Sequence, residues 1–305
     1  MIVGCGDIAL RAARLLRSQY RLIGLTRKTE AMPRMRAAGI KPVTGDLDDV
    51  ASLQKIAGLA TLVLHLAPPP GCGERDTRTA NLLRALSNKP QIPLTKNSKG
   101  RILPQRFIYI STSGVYGDCA GAVVDETRQI HPQTARAQRR ADAEAQVLAW
   151  GARHRVRVTI LRVPGIYAAD RLPLARLRQG TPALLPAEDG YTNHIHADDL
   201  ARVIAAALRC PQHHAEGRIY NVCDDSEIKM GAYFDLVADQ FNLPRPQRVS
   251  RNEAAERISP AMLSFMNESR RLSNVRMKRE LRVALRYPTV AAGIAAAGRA
   301  IIGRR

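Results

Sequence analysis

Met1-Ile2-Val3-Gly4-Cys5-Gly6-Asp7-Ile8-Ala9-Leu10 reads as a strand, a tight turn and the start of a helix. Met1 to Val3 are apolar and β-inclined, and from Ile8 to Leu16 the apolar side chains of Ala9, Ala12, Ala13 and Leu16 recur at helical spacing. Glycine at 4 and 6 with alanine at 9 is the GxGxxG/A form of the dinucleotide fingerprint. Each position has a physical reason. Gly4 permits the turn, Gly6 lets backbone approach a pyrophosphate, and the small Ala9 lets helix and strand pack closely. Phosphate oxygens then meet the unpaired N–H groups of the helix start, around Asp7 and Ile8. A first strand of three residues is very short, so a few residues are expected to precede the given start.

Working outward, strands and helices alternate. Leu22–Leu25 is a second strand, followed by a helix over 31–38 that Gly39 stops. Lys41-Pro42-Val43 leads into Gly45-Asp46-Leu47-Asp48-Asp49, read as another strand end opening a helix. Leu62–Ala67 is a buried type of strand broken by three prolines, and a helix over 76–86 follows. Strand 106–110, a long helix over about 133–152 and strand 157–161 complete the run. Such alternation predicts a Rossmann-type α/β fold, a doubly wound parallel sheet with helices on both faces. We expect a dinucleotide-binding domain over 1–165 and a mixed region over 166–305. In the latter, 217–222 returns to the sheet and the rest forms a small substrate lobe. The polar, Pro- and Lys-rich stretch 87–104 reads as a surface loop. The Ala-rich Val290–Ile302 reads as a packed amphipathic helix.

Composition narrows the partners. The chain has 305 residues and a formal charge of +20, from 47 basic and 27 acidic residues. The arginines are spread along the whole length, and no zinc finger, homeodomain or single-strand-binding aromatic signature accompanies them. The expected partner is therefore an anionic small molecule such as a nucleotide, and not nucleic acid. Five cysteines, an odd number without a CxxC pair, argue against a disulfide scaffold or a four-ligand zinc site; no metal is expected, and a reducing cytoplasm fits. No apolar run is long enough to span a membrane, and with the turn beginning at Gly4 no signal peptide is expected. A homodimer stays open.

Several segments in order resemble the extended short-chain dehydrogenase/reductases, the NAD(P)-dependent epimerase/dehydratase group. They are Gly45-Asp46-Leu47, Leu64-His65-Leu66-Ala67, Ser111-Thr112-Ser113-Gly114-Val115-Tyr116-Gly117 and Leu161-Arg162-Val163-Pro164-Gly165-Ile166-Tyr167. Further along come His194-Ile195-His196-Ala197-Asp198-Asp199-Leu200, Gly217–Val222 and Ser273-Asn274-Val275-Arg276. The resemblance covers nearly the whole chain. It implies that Asp46 and Leu47 lie by the adenine ring, that Leu66, Ala67 and Pro68 line the cofactor, and that Pro164 sits beside the nicotinamide. It implies structural roles for His196 and Asp199. The glycine pattern departs from the family's usual TGxxGxxG, which points to an atypical branch.

Family members use a Ser/Thr with a Tyr and a Lys four residues apart on a helix, the tyrosine exchanging a proton while nicotinamide exchanges hydride. Thr112 matches the Ser/Thr position. Pro132 and Glu144 match the anchors of the family helix, which puts the tyrosine position at Arg136 and the lysine position at Arg140. An arginine keeps its proton at neutral pH and cannot replace a tyrosine as acid. Two readings stay open. In one, Arg136, Arg139 and Arg140 grip anionic oxygen with Thr112 as partner, and Tyr116 or Tyr167 supplies the acid. In the other, the protein binds the cofactor without turnover, as a sensor or assembly factor.

The second strand ends in Thr26-Arg27-Lys28, with no acid where a ribose-binding carboxylate belongs. Arg27 and Lys28 suit the 2′-phosphate of NADP, with NAD as the second option. Arg11, one turn into the first helix, is a further candidate for phosphate contact.

Overall fold

The computed structural model describes residues 1–88, 102–210 and 217–302. Seven strands make the main sheet: β1 (Ile2–Val3), β2 (Leu22–Thr26), β3 (Ile40–Thr44), β4 (Leu62–His65), β5 (Arg106–Thr112), β6 (Arg157–Val163) and β7 (Arg218–Asn221). Their spatial order is β3-β2-β1-β4-β5-β6-β7, and every neighbouring pair is parallel. The chain therefore winds outward from β1 in both directions. The crevice at the carboxyl end of β1, between β2 and β4, is the switch point where such sheets bind ligands.

Helix α1 (Asp7–Leu16) leaves that point, and short α2 (Met32–Ala37), α3 (Thr77–Leu86), α4 (Ala135–His154) and α5 (Ala197–Arg209) follow. Side chains alternate across β5. Ile108 packs with Leu16, Leu161 and Ile204 under α1 and α5, while Phe107 and Tyr109 pack with Val63, Val147 and Ile160 under α3 and α4. Both faces are covered, so the strands read as unbroken apolar runs.

The expected helix after Gly45 is a correction: the segment forms only a 3-10 turn over Ala51–Ile56. The Asp46 carboxylate accepts from the Asp48 amide and the Asp49 carboxylate from the Ala51 amide, local bonds that compete with helix formation. The helix expected over 31–38 splits into a 3-10 turn, Thr29–Ala31, and α2. Of the stretch 87–104, residues 89–101 lie outside the described residues.

Beyond the sheet, α6 (Met230–Gln240) and α7 (Val290–Ile302) pack together, with Val290 and Ile294 against Phe234 and Val237. No helix among the described residues is long and apolar enough to cross a membrane. A buried pair ties α4 to the sheet: Arg162 on β6 meets the Glu144 carboxylate at 2.7 Å, both side chains being at most 5% exposed. That pair fixes the rotation of α4 and hence the direction of residues one and two turns earlier.

Candidate cofactor and substrate site

Gly4 has φ +91°, the left-handed region. A Cβ there would stand 2.5 Å from the Ala67 nitrogen, so the turn is pressed against the strand end of β4. Gly6 is different. It caps α1 in extended conformation, and a Cβ on it would meet nothing within 4 Å. The first helical bond runs from the Leu10 amide to the Gly6 carbonyl, so the amides of Asp7, Ile8 and Ala9 have no intrahelical acceptor. Ala9 is fully buried beneath them. Open space in front of three unpaired amides is a cradle that fits a pyrophosphate.

Beside it lies a cleft of about 270 Å³ walled by Gly4, Arg27, Lys28, Asp46, Leu47, Ala67 and Pro68. Arg27 is 56% exposed and stands 4.0 Å from the Asp46 carboxylate. Arg78, which no motif marked, also lines the cleft. It grips Asp48 with two bonds, 2.8 and 2.6 Å, and donates to the Pro68 and Pro69 carbonyls. Leu66 does not line this cleft; its backbone backs Gly4. Cys5 is in the wall, but burial pushes its thiol up to about 12, which makes it a poor nucleophile.

Arg11 contradicts its reading as a phosphate ligand. It bridges the carboxylates of Asp7, Asp198 and Asp170 at 3.0, 2.6 and 3.2 Å, which leaves no fork free for a phosphate.

A second cavity, about 560 Å³, opens where β5 and β6 end. Thr112, Arg136 and Pro164 line it together with Arg176, His194, Met230, Tyr233 and Phe234. The Thr112 hydroxyl accepts from the Gly114 amide at 3.2 Å, which leaves its own O–H to donate elsewhere. Arg136 is partly desolvated, which lowers the affinity of its guanidinium for the proton, and the nearby Glu268 works the other way. Arg140 turns toward β5, donating to the Tyr109 hydroxyl at 3.0 Å and the Ile110 carbonyl at 2.9 Å. Arg139 is buried and donates to the Gly73 carbonyl. Arg139 and Arg140 thus face the protein, whereas Arg136 remains exposed. Ala137 packs against the Thr112–Gly114 turn.

Both tyrosines named as alternative acids are corrected. Tyr116 is buried under the Arg162 guanidinium, and its hydroxyl donates to the Asn221 side chain at 2.8 Å. Tyr167 borders the cavity with its ring, but its hydroxyl donates to the Thr289 carbonyl at 3.3 Å, and burial raises its pKa far above the ordinary tyrosine value. Neither O–H is free to serve a substrate. His194 is neutral at physiological pH, because burial holds its pKa down to about 4. Asp199 accepts the Arg286 and Tyr287 amides at 2.8 Å each, and the His196 ring caps α5 through the Asp198 amide. Those contacts tie the segment before α7 to α5, the structural role implied by the resemblance.

A family model described as the NAD dependent epimerase/dehydratase family matches residues 10–223. The chain belongs to this family. Among curated family relatives, it is 30% identical to a GDP-6-deoxy-D-mannose reductase of Pseudomonas aeruginosa over 192 residues, 58% of this chain and 59% of that protein. It is 22% identical to a dTDP-glucose 4,6-dehydratase of Streptomyces niveus over 194 residues, 61% of this chain and 56% of that protein. The chain thus spans under two thirds of the length of these relatives. A solved structure of a functionally unknown conserved protein from Silicibacter pomeroyi is 28% identical, covers 98% of both chains and superposes with a TM-score of 0.76. The UDP-glucuronic acid 4-epimerase of Bacillus cereus in complex with NAD, 17% identical, shares the fold with a TM-score of 0.74 over 99% of this chain and 98% of that one.

Proposed function

We propose that the protein binds NADP(H) across the Gly4–Ala9 cradle and the Arg27 cleft. With it, the protein acts on a hydroxyl or carbonyl of an anionic, nucleotide-sugar-like substrate. The observation that carries this reading is the open 560 Å³ cavity beginning at Thr112 and Pro164, with arginine and aromatic side chains in its wall. The curated relatives, whose names specify nucleotide-linked sugars, support the same substrate class. A reducing cytoplasm suits its five unpaired cysteines.

The nicotinamide, when bound, supplies or accepts hydride. Thr112 donates a hydrogen bond to the substrate oxygen, and the Arg136 guanidinium holds negative charge on that oxygen without yielding its proton. The proton comes from water. Lacking a positioned acid slows such a step by roughly 10²–10⁴.

The commitment of the Tyr116 and Tyr167 hydroxyls to distant partners favours a second reading: NADP(H) binding without turnover, as a sensor or assembly protein. NADPH consumption and product mass, followed with a panel of nucleotide-linked 4-keto sugars and simple carbonyls, separate the two. Turnover that Thr112→Val removes supports the enzyme; tight cofactor binding with no turnover on any member supports the sensor.

A further inference from the structure

A cavity of about 810 Å³ runs along α1 from Asp7 to Arg17. Among the described residues it shares no lining side chain with the cofactor cleft or the substrate cavity. Its other walls are the end of α2, through Arg34, Ala37 and Ala38, and α7, through Ala296 and Ala297. The two ends differ in charge. At one, Arg11 holds Asp7, Asp170 and Asp198, and Arg171 adds a second cation to Asp7. At the other stand Arg14, Arg17 and Arg34, and among the described residues no carboxylate pairs with any of them. Gly39, just past α2, marks where the two helix ends meet: a Cβ on it would stand 3.6 Å from the Arg17 Cβ. With a rise of about 1.5 Å per residue, Arg14 and Arg17 lie roughly 10 and 15 Å along α1 from Asp7, away from the amides of the phosphate cradle.

Three exposed cations gathered on one cavity repel one another, and Arg14 and Arg17 do so directly, three residues apart on one helix. The helix dipoles ease Arg14 and Arg34, each in a last turn, but give their forks no acceptors. Glutamine or alanine would continue these helices as well. The charges are useful when a ligand supplies the opposite ones. A phosphomonoester carries about −1.5 to −2 at pH 7 and presents oxygens that match a guanidinium fork, so two of them balance the three arginines. A carboxylate brings a single charge. Ala37, Ala38, Ala296 and Ala297 leave room beside the arginines, and with Leu10 they give a carbon frame an apolar floor.

We propose that this cavity is a separate ligand site, which binds a small organic bisphosphate, its two phosphates on Arg14, Arg17 and Arg34 and its carbon frame over the alanines. The site does not depend on which cofactor or substrate the other two take.

The test titrates the full chain calorimetrically, at one ionic strength, with a hexose 1,6-bisphosphate and with inorganic phosphate. The bisphosphate binds the wild type, and inorganic phosphate, with half the contacts, binds roughly tenfold or more weakly. Arg17→Gln with Arg34→Gln weakens the bisphosphate by roughly tenfold or more, the low end for lost charge-assisted contacts. Arg84→Gln with Arg153→Gln removes as much charge from α3 and α4, on the opposite face of the sheet, and leaves binding within about twofold because salt screens that distance. Gly6→Val, which blocks the cofactor cradle, leaves it unchanged. The four exchanged arginines are exposed, so both pairs of substitutions keep the wild-type fold, checked by their melting temperatures. A wild type that binds no bisphosphate overturns the proposal. So do equal losses in the two arginine pairs, which mark general attraction to a chain of charge +20, and loss of binding in Gly6→Val, which moves the ligand to the cradle. Inorganic phosphate that binds as tightly as the bisphosphate overturns the choice of ligand.

Discussion

Replacing Arg27 by alanine isolates the contribution of one guanidinium to cofactor choice. Arg27 stands at the carboxyl end of β2, 56% exposed, with the Asp46 carboxylate 4.0 Å away and 36% exposed. An ion pair so open to water is worth only about 0–1 kcal/mol, so Arg27 gives up little by turning to a ligand. Two charge-assisted bonds to a 2′-phosphate span about 1.5–3 kcal/mol each in general. The exposure of Arg27 argues for the low end of that range for the pair together, about 1.5 kcal/mol, or roughly a 12-fold change in affinity. The loss has a second part. Without Arg27, Asp46 faces the phosphate uncompensated, and a like charge near 4 Å costs about 1 kcal/mol in water. The expected result is that wild-type protein binds NADPH at least tenfold tighter than NADH, and that Arg27→Ala removes most of this gap while NADH affinity stays nearly constant. Paired calorimetric titrations at one ionic strength measure it, since screening over about 8 Å at physiological salt alters both terms. Equal dissociation constants for the two cofactors in the wild type refute the assignment. Equal losses for both in the variant show that Arg27 is a general attractor of anions.

The two turn glycines should fail in different ways. Gly4→Ala forces a Cβ into the Ala67 backbone and lowers the melting temperature, whereas Gly6→Val, with open space around it, folds normally and loses dinucleotide binding in calorimetry. Arg136→Tyr with Arg140→Lys should raise carbonyl reduction above background at unchanged cofactor affinity, read as NADPH consumption; no gain would mean that the pocket no longer suits the family's acid. A pH test comes from Asp224, buried with one carboxylate oxygen unpartnered and its pKa raised from 3.8 to about 7. Between those values the folded protein holds a proton that the unfolded chain has released, so this group's stabilising contribution is present below pH 4 and is lost as pH rises through 7. Asp224→Asn should therefore raise the melting temperature more at pH 8 than at pH 5, and an equal change at both would contradict the assigned shift.

Much of this molecule was legible because its signals are local. The Gly4–Ala9 turn needs only its own neighbours to declare a tight bend before a helix, and apolar runs spaced by helical periods dictate a sheet covered on both faces. The basic end of β2 and the arginines of α4 are likewise visible residue by residue, and Glu144 marks the helix register because its partner Arg162 lies on the next strand. The candidate acids were another matter. Tyr116 and Tyr167 stand beside recognisable segments, yet their hydroxyls are claimed by Asn221 and Thr289, 105 and 122 residues further on. Arg11 likewise stands one turn from the phosphate cradle in sequence, but Asp170 and Asp198 reach it from far along the chain. Much of the cavity wall is assembled from separate segments around 176, 194, 230–234 and 270, none with a periodicity that names its neighbours. Backbone propensity and periodicity act over a few residues and so survive in the sequence as pattern. Which hydroxyl finds an acceptor, and which guanidinium is left without a carboxylate, depends on contacts that exist only once distant segments have packed together.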